Sequence, residues 1–365
     1  MGDKFDLNQG IEGGKYSILK IFHHPEKLRA FKEGRITSPL YVRVKPTNRC
    51  NHKCFYCVYD PEFSEIHPSS NRMDEIPESK MEEILDSFAE MGVKVVTFSG
   101  GGEPLEYPKI ADVFKGTLER GINLSLITNG QNLNGDSGEI LASAADWVRV
   151  SVDYPDAKLF SRIRNRPESW FYQLKDNLVG FAKQRAAKCD FEANCVVNHY
   201  NYDRLVEIAM FCRDIGLDNL RFAPVWKKNF LEYHAQFKDQ AMAQIERAEE
   251  LDGISIGNSY ERYFNKNTGG EIRDYPRCFY MEIVPVIAAD QNVYTCHNNA
   301  YEPGGKVGSI KNKSFKELWF SQETAEFFRN FNPQKVCTHE CSNDEKNRLL
   351  NEWLACKDED VVNYI

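Results

Sequence analysis

Residues 40–45 (LYVRVK) alternate between apolar and polar, and Pro46 follows. Alternation with β-branched residues predicts a strand whose two faces meet different surroundings. From 77 to 91 the period changes: Met81, Ile84, Leu85 and Phe88 share one helical face, and Gly92 supplies the stop. This pair of signals repeats along the chain. Strands are predicted over 93–99, 123–128, 147–152, 191–197 and 219–223. Helices are predicted over 109–120, 138–145, 168–187 and 202–215, with Gly121 and Gly216 as stops. A helix over 23–33, entered near Pro25 and ended at Gly34, precedes them all.

Strand and helix alternating at this pace predict βαβ crossovers and a parallel sheet. Six such strands, curved, make a partial barrel with ligands at the C-terminal strand ends. After Pro224 the rhythm changes. Residues 227–251 read as charged and helical, 253–257 as a short strand, and 266–274 as a polar loop near a domain boundary. A hairpin is expected over 281–289 and 293–296, turning at Asp290-Gln291-Asn292. One amphipathic helix is expected over 314–331, with Phe315, Leu318, Trp319, Phe327 and Phe328 as core. The chain thus divides into an N-terminal extension (1–38), a barrel (39–235), a bridging segment (236–270) and a C-terminal domain (271–365).

Composition narrows this picture in three ways. Apolar residues make up 42 % of the 365, which suits a large folded core. A net charge of −8 argues against general nucleic-acid binding. The first residues lack an apolar signal region, Asp6 stands where a myristoylation motif needs Ser or Thr, and no stretch approaches a membrane span of ~20 apolar residues. A cytoplasmic protein is expected. Its 11 cysteines then read as metal ligands in a reducing compartment rather than as a disulfide framework.

Cys50, Cys54 and Cys57 lie at C-x3-C-x2-C spacing in the loop after the first strand. A closed structural zinc site or a fully ligated iron–sulfur cube takes four protein donors. Three cysteines on one loop would hold three irons of a [4Fe–4S] cube and leave the fourth open to a chelating molecule. The loop after the second strand reads Gly100-Gly101-Gly102-Glu103-Pro104, where glycines admit close approach and Glu103 offers an acceptor to an ammonium group.

This cysteine spacing, followed one βα unit later by the GGGEP turn, resembles the radical S-adenosylmethionine (SAM) superfamily. The resemblance implies an α/β fold: a partial (β/α)6 TIM-like barrel with a C-terminal twitch/SPASM-like domain. It implies that Cys50, Cys54 and Cys57 hold a SAM-binding [4Fe–4S] cluster, and that Gly101, Gly102 and Glu103 hold the methionine amino group. Tyr56 is expected against the adenine. Ser151, Asp153 and Asn198 are candidates for the carboxylate or ribose of SAM, and Arg164 for its carboxylate, with Arg162 and Arg166 as rivals. No catalytic acid or base is identified.

Cys278, Cys296, Cys337 and Cys341 form a second set, able to ligate an auxiliary [4Fe–4S] cluster or a zinc. The layout resembles the twitch domain, a shortened relative of SPASM, although Cys337 and Cys341 stand at C-x3-C rather than the more usual C-x2-C. Cys356 is left over and is expected to be a buried free thiol. Cys189, Cys195 and Cys212 are expected in the core, His52 at the surface, and His297 at the surface or behind the ligands.

The implied function is a radical SAM oxidoreductase. It would abstract hydrogen from a small polar substrate such as a sugar, cyclitol or nucleotide derivative, and would draw electrons from a partner such as flavodoxin or ferredoxin. Dehydrogenation, as in the twitch-bearing dehydrogenases of aminocyclitol biosynthesis, is the chemistry this architecture suggests. The alternative is a peptide- or protein-modifying maturase; the short N-terminal segment favours the small molecule. A two-zinc scaffold without enzymatic activity is the third reading.

Overall fold

The computed structural model describes residues 17–60, 62, 70–227, 229–265, 273–337 and 341–356. The N-terminal features at 1–14 and most of the polar loop at 266–274 lie outside the described residues. The six expected strands form: β1 (Tyr41–Val44), β2 (Val95–Phe98), β3 (Asn123–Thr128), β4 (Trp147–Ser151), β5 (Asp190–Val197) and β6 (Asn219–Pro224). Each pairs in parallel with the next. The helices are α1 (Pro25–Lys32), α2 (Glu78–Met91), α3 (Ile110–Glu119), α4 (Gly135–Ala144), α5 (Ala157–Arg164), α6 (Ser169–Gln184) and α7 (Leu205–Ile215). Gly92 and Gly216 end α2 and α7 in the left-handed conformation that glycine tolerates best.

The wall extends past six strands. After the helix Lys238–Glu249, β7 (Ser255–Asn258) joins β6 in parallel, so the bridging segment belongs to the same sheet. At the other edge β8 (Val286–Ile287) lies parallel to β1, and β9 (Asn292–Tyr294) and β10 (Lys306–Ser309) follow antiparallel. The order β10-β9-β8-β1-β2-β3-β4-β5-β6-β7 leaves the barrel open and hangs the C-terminal cysteine region on its first strand.

Alternate residues of each strand meet opposite surroundings. Val42, Val44, Val96, Phe98, Leu124, Leu126, Val148, Val150, Phe191, Ala193, Leu220 and Phe222 are buried in the main apolar core. The other face carries Arg43 beside Thr97, Thr97 beside Ser125, and Arg149 beside Glu192. Parallel sheets covered on both faces are apolar on both. This one is apolar only toward its helices, and the polar face lines a lumen.

Three elements depart from the sequence reading. α5 was not foreseen; Asp156 caps it by accepting from the Leu159 amide at 2.9 Å. The single helix expected over 314–331 is two, Phe315–Trp319 and Gln322–Asn330. Ser321 breaks it: its hydroxyl accepts from the Thr324 amide at 3.1 Å and donates to the Leu318 carbonyl at 2.7 Å. The hairpin is shorter than expected, because Met281 belongs to a helical turn, Tyr280–Ile283.

Candidate functional site

The cysteine loop leaves the C-terminal end of β1 and is fixed by the end of α5. The amides of Lys53 and Phe55 donate to the carbonyls of Arg164 and Ile163 at 3.0 and 3.4 Å. Arg164 then reaches through the loop. Its guanidinium donates to the Cys54 sulfur at 3.0 Å, the Tyr56 hydroxyl at 2.9 Å and the Ser151 carbonyl at 2.8 Å, and pairs with Asp153 at 2.7 Å. Asp153 also accepts from the Tyr56 hydroxyl and from the Val196 amide at 2.6 Å. Two groups expected to touch SAM, Arg164 and Asp153, therefore spend their charges on each other. Asn198 is fully buried; its side chain donates to the Val196 carbonyl and accepts from the Tyr200 amide. Neither Asp153 nor Asn198 lines the cavity described below.

The glycine turn packs on the same loop. A Cβ on Gly101 would fall 1.8 Å from Asn48 Oδ1, and one on Gly102 would fall 2.0 Å from the Arg49 carbonyl. These glycines admit the chain's own cysteine loop, besides lining the cavity. Glu103 is buried and accepts from Thr128 Oγ1 at 2.6 Å, the Asn129 amide at 2.7 Å and the Leu105 amide at 3.1 Å. Burial outweighs these bonds and pushes its carboxyl up to about 7. A carboxylate so placed is stabilised by an incoming cation.

His52 corrects the sequence reading. It is buried against Phe160 and Trp170 and bonded to Gln131 at 3.3 Å, and burial lowers its pKa to about 3. Cys356 is exposed rather than buried. Cys189, Cys195 and Cys212 lie in the apolar core. Arg162 lies over the ring of Tyr200, and Arg166 bonds the Asn51 carbonyl.

The second cysteine set comes together from three stretches of chain, around Cys278, around Cys296 and at Cys337 and Cys341. Burial pushes the Cys278 thiol well up, and Cys341, Cys296 and Cys337 each lie close enough to disfavour its ionisation further. The loop carrying Cys296 meets the first loop directly. His297 packs on Tyr59 at 5.9 Å, Tyr301 bonds Asn48, and the Lys45 ammonium sits 3.7 Å over the Tyr59 ring and donates to the Gly100 carbonyl at 2.8 Å.

One cavity of about 1120 Å³ runs from the first cysteine set to Cys341 of the second. Cys50, Cys54, Cys57, Tyr56, Gly101, Gly102, Glu103, Ser151 and Arg164 line it, as do Cys341 and His297. Arg43, Arg149 and Arg221 also line it. The sequence reading missed these three arginines, although each sits mid-strand between apolar neighbours, an unusual place for a cation.

Among the described residues, no three His, Cys, Asp or Glu side chains converge on a single-ion site. A four-iron cube spreads its thiolates more widely than one ion does, so the surroundings of the sulfurs test the fit. Each sulfur receives an N–H. Cys50 takes one from His52, Cys54 from Arg164, Cys57 from Tyr59, Cys278 from Asn347, Cys296 from Asn299, Cys337 from Asn299 and Cys341 from Asn343. Such donors suit thiolates. Burial, helped by neighbouring thiols and carboxylates, holds Cys57 and Cys337 up to about 11 and Cys341 up to about 12, so the positive charge of bound iron is what would ionise them. The residues fit two clusters.

Comparison with known proteins agrees. The profile of the radical SAM superfamily matches residues 44–222, and that of the SPASM iron–sulfur cluster-binding domain matches 278–342. A probable GTP 3′,8-cyclase of Methanocaldococcus jannaschii is 29 % identical over 188 residues, 50 % of this chain and 59 % of the relative. The GTP 3′,8-cyclase of Paracoccus denitrificans is 29 % identical over 49 % of this chain and 50 % of its own, so the chain spans little more than half of either relative. An AdoMet-dependent heme synthase of Oleidesulfovibrio alaskensis is 21 % identical over 82 % of this chain and 78 % of its own. Streptococcus suis SuiB bound to S-adenosylmethionine shares the fold, with a TM-score of 0.62 at 18 % identity over 88 % of this chain and 77 % of SuiB. This chain belongs to the radical SAM superfamily, with a SPASM cluster-binding domain, a SAM-binding [4Fe–4S] cluster, an auxiliary [4Fe–4S] cluster and SAM itself as its cofactors.

Proposed function

We propose that this protein is a radical SAM oxidoreductase acting on a small polar molecule held in the barrel lumen. Cys50, Cys54 and Cys57 would hold the SAM-binding cluster, and Cys278, Cys296, Cys337 and Cys341 the auxiliary one. When bound, the cluster and SAM supply the 5′-deoxyadenosyl radical that removes a hydrogen atom from the substrate. The rest is the work of this chain. Glu103 accepts from the amino group of SAM, with Gly101 and Gly102 beside it, Tyr56 flanks the adenine, and Ser151 meets the ribose or carboxylate. Arg164 holds Cys54 and Tyr56 in place, and Asp153 and Asn198 staple the surrounding loops. The lumen keeps the reacting carbon away from bulk water. The catalytic unit spans 39–235 and is extended by β7, with the auxiliary-cluster domain after it.

The observation that carries this reading is that one cavity, lined by Glu103 and the inner face of the strands, takes in Cys50, Cys54 and Cys57 and reaches Cys341 of the second set. A second cluster beside the substrate suits an oxidation, which is why the oxidoreductase class is preferred. The test is anaerobic reconstitution with reduction by dithionite or flavodoxin. The protein is expected to hold about eight irons and to release 5′-deoxyadenosine, with label entering it from a deuterated sugar, cyclitol or nucleotide. Two zincs and no 5′-deoxyadenosine would overturn the reading. Label arriving from a deuterated peptide instead would move it to a peptide-modifying maturase.

A further inference from the structure

The inner face of the barrel is strongly cationic in a chain whose net charge is −8. Seven guanidinium or ammonium groups line the cavity against two carboxylates, Glu103 and Glu302. Three of the seven are answered by acids behind the wall: Arg149 by Glu192 at 2.6 Å, Arg164 by Asp153 at 2.7 Å and Arg273 by Asp344 at 3.2 Å. Arg43 and Arg221 are not. Arg43 meets the ring and hydroxyl of Tyr41, with the phenols of Tyr280 and Tyr59 nearby, and Arg221 donates to Asn194 Oδ1 at 2.9 Å. Among the described residues neither forms an ion pair with a carboxylate; Glu192, already paired with Arg149, is the acid whose charge reaches Arg221.

Charges buried without a partner are costly unless a ligand supplies one. The two arginines feel each other: burial, Arg149 and Arg43 together push the Arg221 guanidinium down to about 10. Their depth is informative. Arg149 stands two residues before Ser151, the end of β4, Arg221 three before Pro224, the end of β6, and Arg43 seven before Cys50. The arginines therefore form a layer beneath the cysteine loop. An anion gripped there would project the rest of its molecule up toward Glu103 and the cysteines. Two strand-borne guanidinium groups without an ion-paired carboxylate suit a polyanionic group, and a phosphate ester presents the oxygens that guanidinium forks bind in pairs.

We propose that Arg43 and Arg221 bind the phosphate group of a phosphorylated substrate at the floor of the barrel. This rests on the reading of the lumen as the substrate site and names the class of molecule it takes.

The test is calorimetric titration of the reconstituted, SAM-saturated protein with ribose 5-phosphate, ribose and succinate. Saturating SAM removes its own carboxylate as a competitor. Ribose 5-phosphate is expected to bind and ribose not to. Arg43→Gln and Arg221→Gln should each weaken binding at least tenfold. Arg221→Lys, which keeps the charge without the fork, should fall between. Iron content and circular dichroism identify a variant that has failed to fold, and Arg221→Lys and Arg43→Gln keep the question open to decision if Arg221→Gln is lost. Ribose 5-phosphate binding that is absent or unchanged by the substitutions would overturn the proposal. So would arginine-dependent binding of succinate but not of the phosphate. Release of 5′-deoxyadenosine by the unmodified protein, measured on the same preparation, tests the radical chemistry separately. Its failure would leave the phosphate result standing, and its success would not rescue a failed titration.

Discussion

Arg164→Gln is the substitution that most directly tests how the cysteine loop is held. Arg164 and Asp153 approach to 2.7 Å, with side-chain exposures of 3 % and 0 %. An exposed pair would be worth ~0–1 kcal/mol. Burial this complete places the pair in the other regime, where removing one partner strands a charge and costs ~3–5 kcal/mol. In the variant Asp153 would keep donors from the Val196 amide and the Tyr56 hydroxyl but lose its cation. Cys54 and the Ser151 carbonyl would each lose a donor as well. Asp153→Asn, made alone, strands the opposite charge. The double variant should therefore be less damaged than the two singles summed, by ~1–3 kcal/mol. Anaerobic urea unfolding of the reconstituted protein measures all four corners of the cycle, with cluster absorbance and far-ultraviolet circular dichroism followed together. Arg164→Gln should also surrender iron to a chelator faster than the unmodified protein. An Arg164→Gln protein within about 1 kcal/mol of the parent, or strict additivity in the cycle, would refute the argument that this pair clamps the loop.

Replacing Cys50, Cys54 or Cys57 with Ala should abolish 5′-deoxyadenosine release, whereas Cys278→Ala or Cys296→Ala should retain release but lose substrate turnover; full turnover in Cys278→Ala would remove the auxiliary cluster from the mechanism. Glu103→Gln should weaken SAM binding by ~10- to 100-fold, the range for a charge-assisted hydrogen bond of ~1.5–3 kcal/mol. Because burial raises the Glu103 carboxyl to about 7, the acceptor is charged above that pH and protonated below it. SAM affinity should accordingly fall as pH drops below 7, with a dependence one proton steeper in the parent than in Glu103→Gln; parallel slopes by calorimetry would count against Glu103 as the acceptor. Gly101→Ala should lower the melting temperature far more than Gly92→Ala. The first drives a methyl group into Asn48 and the Tyr301 hydroxyl, while the second meets open space and strains only a φ of +71°, costing ~1–2 kcal/mol.

The rhythm of the barrel was legible because its signals are local. β-Branched runs, helical apolar faces and stop glycines placed all six strands and, α5 excepted, the helices between them to within a few residues. The C-x3-C-x2-C spacing was legible for the same reason. Signals that compete locally were harder. Leu159, Phe160 and Ile163 hold the apolar face of α5, but the helix is short and Asp156 is its main start signal. Ser321 splits a continuous aromatic stripe through a cap that periodicity does not register. His52 read as exposed because it lies inside the first cysteine loop, yet its partners Gln131, Phe160 and Trp170 arrive from other loops and helices.

The lumen arginines show how more could have been read. Valine–arginine–valine occurs in β1 and in β4, and leucine–arginine–phenylalanine in β6. A flat parallel sheet with helices on both faces has no place for these cations, since both faces would be dry. Parallel order was already required by the alternation of strand and helix. Parallel order and one-faced polarity hold together only if every crossover helix lies on the same side and the other side curls around solvent and ligand. The period-two pattern of arginine between apolar residues thus predicts the barrel, its open interior and the sign of the charge waiting inside it, before any motif is consulted. In the structure the arginines are where that argument puts them: Arg43, Arg149 and Arg221 line the cavity, while their flanking residues are buried in the core beneath the helices.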